Sequence, residues 1–236
     1  PPAQYRDNYY KWRQDSTWLY LFGIAQPGLA ATIDLADGTT TLYGDDPDID
    51  DIIWNGPTPS VRDYADRAGI EKTAPSAALA GAVKGKKLHF VPASRYYNAL
   101  KLSELTGLKP EQHFSEGKKG CPASSLPLVR ALVSMRLVKD AQELALLDAA
   151  ADLGVEMHTA ARRGVKLGTI EQSVVGAMES VALAKGWGVS FPTILTQHGE
   201  VFHCHSHEMP IEPGKLLVID AGVESNEHYA SDFTRT

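Results

Sequence analysis

Between Gly107 and Pro127 the sequence loses its periodicity and fills with glycine, proline and serine, and its character differs on the two sides. Upstream, short β-prone runs alternate with short helical ones, the pattern of a small α/β domain. Downstream, long helical patterns come first and strand-like runs follow. No single repeating architecture accommodates both halves. The chain is therefore read as α/β (α+β) in class, with one domain at residues 1–122 and a second at 123–236. Its 236 residues, 43% of them hydrophobic, suffice for two modest cores.

Local signals fill in this frame. Trp18 to Phe22 is aromatic and aliphatic enough to read as a strand. Leu29–Leu35 and Thr39–Tyr43 flank Ala36, Asp37 and Gly38, a tight-turn signal that predicts a hairpin. Ser60 to Asp63 reads as a helix start, Lys87 to Val91 as a strand, and Ser94 to Leu105 as a helix closed by Gly107. In the second half Asp140 and Glu143 form a capping pair. Leu144, Leu147, Ala151, Val155 and His158 then recur at helical spacing and define one expected face, on which His158 reads as a satisfied core histidine. A second helix is expected to start at Thr169, with Gln172 completing a capping box, and to end at Gly186. Val174, Val175, Met178, Val181 and Ala182 form its apolar stripe.

A net charge of −6 gives no footprint for nucleic acid. The acidic run of Asp45, Asp46, Asp48, Asp50 and Asp51 lacks the ligand order of a calcium loop and reads as solvated. No apolar run approaches the roughly 18 residues of a membrane helix. Two cysteines, Cys121 and Cys204, suit a reducing compartment and a cytoplasmic protein. The chain opens Pro1-Pro2 rather than on methionine, which leaves its true start and any removed targeting segment open. At the other end, His228 to Thr236 reads as a strand with no turn or cap after it, so a continuation is expected.

Two features point to chemistry. The apolar run Leu216 to Gly222 contains Asp220, a carboxylate that is costly in such a strand unless something positive compensates it. If Ser225, Asn226 and Glu227 form a turn, Glu224 faces His228 and Asp220 faces Asp232, beside Val218, Ala230 and Thr234. Opposed carboxylates repel. Either one of them holds a proton, or a cation sits between them, or the register differs by one and sends one aspartate to solvent. Upstream, alternation would put His203, His205 and His207 on one face of a strand. That reads either as a zinc site of its own or as a polar edge with one useful histidine.

These segments resemble the aminopeptidase P and prolidase group, the Xaa-Pro peptidases among the pita-bread-fold metallopeptidases. Leu217 to Gly222 is similar to the family's strand with the first metal-binding aspartate, and Tyr229 to Thr236 to the segment with the second. Val201 to His205 resembles the stretch whose first histidine, His203 here, helps hold the substrate and stabilise the tetrahedral intermediate. Arg136 to Glu143 resembles the opening of the first catalytic-domain helix. Arg13 to Gly23 resembles the family's N-terminal signature, and Pro27-Gly28 and Trp54 to Gly56 fit the prolidase-like pattern around it. Arg13, Asp15 and Trp18 within it read as structural.

The resemblance implies a creatinase-like N-terminal α/β domain followed by an incomplete pita-bread catalytic domain. It implies two divalent ions, manganese by preference with cobalt or zinc as alternatives, held by two aspartates, a histidine and two glutamates. Asp220 would chelate one ion and Asp232 bridge both, with Thr234 orienting a carboxylate. A water or hydroxide between the ions would attack the carbonyl before proline, in a dipeptide or a longer peptide, with a glutamate as proton shuttle. The histidine ligand and both glutamates are expected beyond residue 236. A homodimer or larger homo-oligomer is implied, and no nucleic-acid or membrane partner is expected. Two other readings share the architecture: a non-catalytic peptidase-like binding module, and a metal-independent creatinase-like amidinohydrolase.

Overall fold

The computed structural model describes residues 3–5, 8–114, 121 and 123–236. It divides into two compact units, Pro1–Leu137 and Val138–Thr236. The expected boundary at 122/123 thus falls before the last helix of the first unit, and part of the expected linker, residues 115–120 and 122, lies outside the described residues. No helix among the described residues is long and apolar enough to cross a membrane.

In the first unit, β1 (Ala3–Tyr5) pairs antiparallel with β2 (Asn8–Tyr9). Then come α1 (Ser16–Phe22), β3 (Ala30–Ile33), β4 (Thr40–Tyr43), α2 (Ile49–Asn55), α3 (Val61–Arg67), β5 (Lys72–Ala74), α4 (Ala78–Val83), α5 (Tyr96–Thr106) and α6 (Leu126–Leu137). Strands β3, β4 and β5 form a sheet in that order, antiparallel and then parallel. Ile24, Leu42, Val61, Ala65 and Ile70 make its core. The hairpin turns where expected, with Gly38 at φ +76° and Asp37 accepting from Thr39 N at 2.8 Å.

Two expected strands are corrected. Trp18 to Phe22 belongs to α1: Asp15 accepts from Thr17 N and Trp18 N at 2.9 and 3.0 Å, and Gly23 ends the helix in the left-handed region. Capping at both ends outweighs the β-propensity of the aromatics. Trp18 Nε1 donates to Ile24 O at 2.9 Å. Asp15 and Trp18 are therefore structural. Lys87 to Val91 forms no strand; only Ala93 bridges, to Phe114. The acidic run is exposed, and its carboxylates cap backbone N–H groups. Asp48 caps α2, Asp46 accepts from Val61 N at 2.7 Å, and Asp45 accepts from Ser76 N at 3.1 Å.

The second unit contains α7 (Ala141–Gly164), α8 (Glu171–Ala184), β6 (Gly188–Val189), β7 (Ile194–Thr196), β8 (Val218–Ala221), β9 (Val223–Glu224) and β10 (Phe233–Arg235). Strands β10, β8 and β7 form an antiparallel sheet in that order. Both helices pack on the sheet through Ala150, Leu153, Met157 and Ala161 of α7 and Val174, Val175, Met178 and Ala182 of α8. The capping box of α7 forms as expected. Asp140 accepts from Gln142 N and Glu143 N, both at 2.8 Å, and Glu143 accepts from Asp140 N at 2.9 Å. Asp140→Ala is expected to lower stability by about 1 kcal/mol, read by urea denaturation.

The face that α7 buries differs from the expected one. Leu144 and Val155 are 51% and 58% exposed, while Ala150, Gly154 and Ala161 face the interior. Close approach to the sheet selects small residues, which a count of large aliphatics misses. At Gly154 a Cβ would lie 2.6 Å from Ser231 Oγ and 2.8 Å from Phe233 Cε2. His158 is half-buried and donates from Nε2 to Ala221 O at 3.3 Å. The expected Thr169/Gln172 capping box on α8 does not form. Backbone carbonyls take its place, with Glu171 N donating to Met209 O and Gln172 N to His207 O at 3.0 and 2.8 Å.

Candidate metal centre

Strand β8 lies between β7 and β10, and its alternation divides the unit's chemistry. Ile219 and Ala221 enter the core below. Val218 and Asp220 face the other way, paired in register with Thr196 and Ile194 of β7, and Asp220 also with Thr234 of β10. These five side chains, together with Gly199, Val201, Phe202 and His203, line an open cavity of about 450 Å3. Period-two alternation thus carries a carboxylate from an apolar strand into a cavity.

The register corrects the sequence-based pairing. Asp220 lies opposite Thr234, not Asp232. The cause is the turn. Ser225 N donates to Tyr229 O at 2.9 Å, His228 N to Ser225 O at 3.0 Å, and His228 adopts φ +64°. The loop is therefore Asn226 to His228, a three-residue connection closed by a left-handed residue. The partner of Asp220 moves by two positions, which preserves the face. Asp232, just before β10, stays beside Asp220 as a diagonal neighbour.

The electrostatics fit a cation. Oδ1 of half-buried Asp220 is shielded from solvent and has no hydrogen-bond partner. Asp232 is exposed as a residue, yet its carboxyl is raised above the ordinary carboxylate range. Partial burial is the largest cause, followed by the Asp220 charge and a hydrogen bond to the Asp220 carboxyl. Two neighbouring carboxyls are relieved either by a proton on one of them or by a cation between them, and a divalent ion favours both in the ionised form. The donors are hard oxygens, which suit manganese-class ions. Among the described residues no group of three or more His, Cys, Asp and Glu side chains is assembled to hold a metal.

The histidines do not share a strand face, because residues 198–207 form no strand. Val201 N donates to His198 O at 2.9 Å, so the chain turns there. His203 is exposed and lines the cavity, and His205 is exposed. His207 is buried and donates from Nδ1 to Leu195 O at 3.0 Å. His198 pairs with Glu200 at 2.9 Å. The reading of one useful histidine therefore fits this loop better than a three-histidine zinc site. Sequence reasoning missed the β7 wall, Ile194 and Thr196, although the β-branched run that follows Pro192 signals it.

Comparison with known proteins agrees with this architecture. Residues 1–87 match the family described as aminopeptidase P, N-terminal domain, and residues 145–236 match metallopeptidase family M24. A probable Xaa-Pro aminopeptidase of Ajellomyces capsulatus is 26% identical over 231 residues, which is 95% of this chain and 43% of the relative. One from Aspergillus fumigatus is 26% identical over 95% of this chain and 45% of its own length. Escherichia coli aminopeptidase P in its low-pH form superposes with a TM-score of 0.82 at 22% identity, covering 99% of this chain and 55% of that one. Proline aminopeptidase P II from Yersinia pestis gives 0.82 at 24% identity, covering 100% and 56%. The chain thus spans less than half the length of these curated relatives and little more than half of the solved structures. With the two family descriptions matched in order and the aminopeptidase P fold running the length of the chain, this protein belongs to the Xaa-Pro peptidase family of M24 metallopeptidases.

Proposed function

We propose that this chain supplies Asp220 and Asp232 as metal ligands, and His203 as a substrate-facing group, to an exopeptidase that cleaves the bond between an N-terminal residue and proline. The observation that carries this reading is the carboxyl pair beside the cavity, with a buried Asp220 oxygen that has no partner. Its physical content is simple: two adjacent carboxyls need a positive partner, and the cavity offers room for a peptide end next to it. Divalent ions held there supply Lewis acidity toward a carbonyl oxygen and acidify water.

The chain's own residues have distinct tasks. Asp220 and Asp232 hold the charge, and Thr234, across from Asp220, orients its carboxylate. His203 donates a hydrogen bond to the substrate carbonyl as negative charge develops on it. Val201 and Phe202, 50% and 84% exposed at the cavity, offer an apolar wall for side chain or proline ring. Proline suits a dedicated enzyme because its imide bond offers no N–H donor. Two carboxylates are an incomplete ligand set for a metal pair, and the family resemblance assigns a histidine and two glutamates to complete it.

Manganese is the preferred ion. Zinc is also accepted, a choice supported by the likeness to a zinc-substituted E. coli aminopeptidase P in complex with product. The partners assigned are Xaa-Pro dipeptides or peptides with proline second, together with further copies of the chain in a homodimer or larger oligomer. Two free cysteines fit a cytoplasmic setting.

Treating the full-length protein with chelator is expected to abolish proline release from an Xaa-Pro substrate, and manganese to restore it. Activity that persists with no metal detectable would instead favour the amidinohydrolase-like chemistry. Tight metal binding without hydrolysis of any Xaa-Pro peptide would favour a binding module.

A further inference from the structure

His203 reaches the cavity from a loop, His198 to Pro210, that leaves the sheet at the end of β7 and returns beside the first turn of α8. Backbone bonds hold the returning arm. His207 O accepts from Gln172 N at 2.8 Å, Met209 O accepts from Glu171 N at 3.0 Å, and Ile211 N donates to Thr169 O at 2.9 Å. On the outgoing arm His198 N donates to Thr196 Oγ1 at 2.9 Å, and Gln197 ties the arm to Glu171. Gln197 N and Nε2 both donate to Glu171 Oε1, at 2.9 and 3.3 Å. Gln197 Nε2 also donates to Pro210 O at 2.9 Å, and its Oε1 accepts from Glu212 N at 2.7 Å. A single amide thus closes both ends of the loop onto a carboxylate that is 1% exposed.

We infer that Gln197, seated on Glu171, is a positioning residue for His203. The inference rests on the functional reading above and adds to it how the histidine is held in place. Gln197 is not among the residues that line the cavity, so its side chain does not itself meet a substrate there. Between the closure and His203 the loop has no regular secondary structure, and Val201, Phe202 and His203 are all exposed. Few contacts of their own fix these residues, so the stem sets where the imidazole sits. A displacement of about 1 Å at a reacting centre costs up to about 100-fold in rate.

The test is a double-mutant cycle in the full-length protein, combining Gln197→Ala with His203→Ala. Alone, Gln197→Ala is expected to lower kcat/KM for an Xaa-Pro substrate roughly 10–100-fold with metal content unchanged. In the His203→Ala background it should have no further effect. Amide hydrogen exchange should rise across residues 198–210 and stay unchanged in β8 and α7. Should the alanine variant not fold, Gln197→Met fills the same space without hydrogen bonds and is read instead. Additive losses in the double variant, or unchanged exchange in the loop, would overturn this role alone. A wild-type protein with no Xaa-Pro activity would bring down the functional reading and this role with it.

Discussion

Asp232→Asn in the full-length protein is expected to lower kcat/KM for an Xaa-Pro substrate by more than about 100-fold, because losing even an outer-shell partner of a metal costs 10–100-fold. The same change should stabilise the metal-free protein. The Asp232 carboxyl is raised above its ordinary 3.8 by burial and by Asp220, so the folded state disfavours its ionised form. The sign follows from linkage. Stability associated with the protonated group is complete below the unfolded pKa and is lost as pH rises through the higher folded value. Wild type and variant should therefore have similar Tm values in acid, and the variant should gain the advantage as pH rises past the shifted pKa. Adding manganese should reverse the order, stabilising only the wild type. Activity lost together with apo stability would instead indicate a structural aspartate.

Gly222→Ala is expected to cost about 3 kcal/mol or more, read by chemical denaturation. A Cβ there would lie 1.8 Å from Ser231 O and 2.6 Å from Ser190 Oγ. The nearest obstacle is backbone, which cannot rotate away. Relief requires moving the strand that carries Ser231 and Asp232, so cation binding should weaken as well. Gly154→Ala meets the Ser231 hydroxyl and the Phe233 ring instead, both of which can shift. It should be the milder change, at about 1–3 kcal/mol.

Much of the site was legible because strand alternation tolerates an error of two. The sequence placed Asp220 opposite Asp232, and the structure places Asp220 opposite Thr234, yet both aspartates keep the same side. What stayed hidden was the turn, since nothing marks His228 in advance as the left-handed residue. Helix capping was readable at Asp140 and Ser60, where acceptor and partner lie three residues apart. It was unreadable at α8, whose first N–H groups are satisfied by carbonyls of residues 207 and 209. The histidine run misled because strand alternation was assumed for a segment that turns at His198 and is tied at its ends to α8.

The most direct measurement is a crystal structure of the full-length protein grown with manganese, with the ion located by anomalous scattering. A peak is expected at coordination distance, roughly 2.0–2.6 Å, from carboxylate oxygens of both Asp220 and Asp232. Manganese bound elsewhere, with these two carboxyls joined only by a shared proton, would contradict this metal assignment.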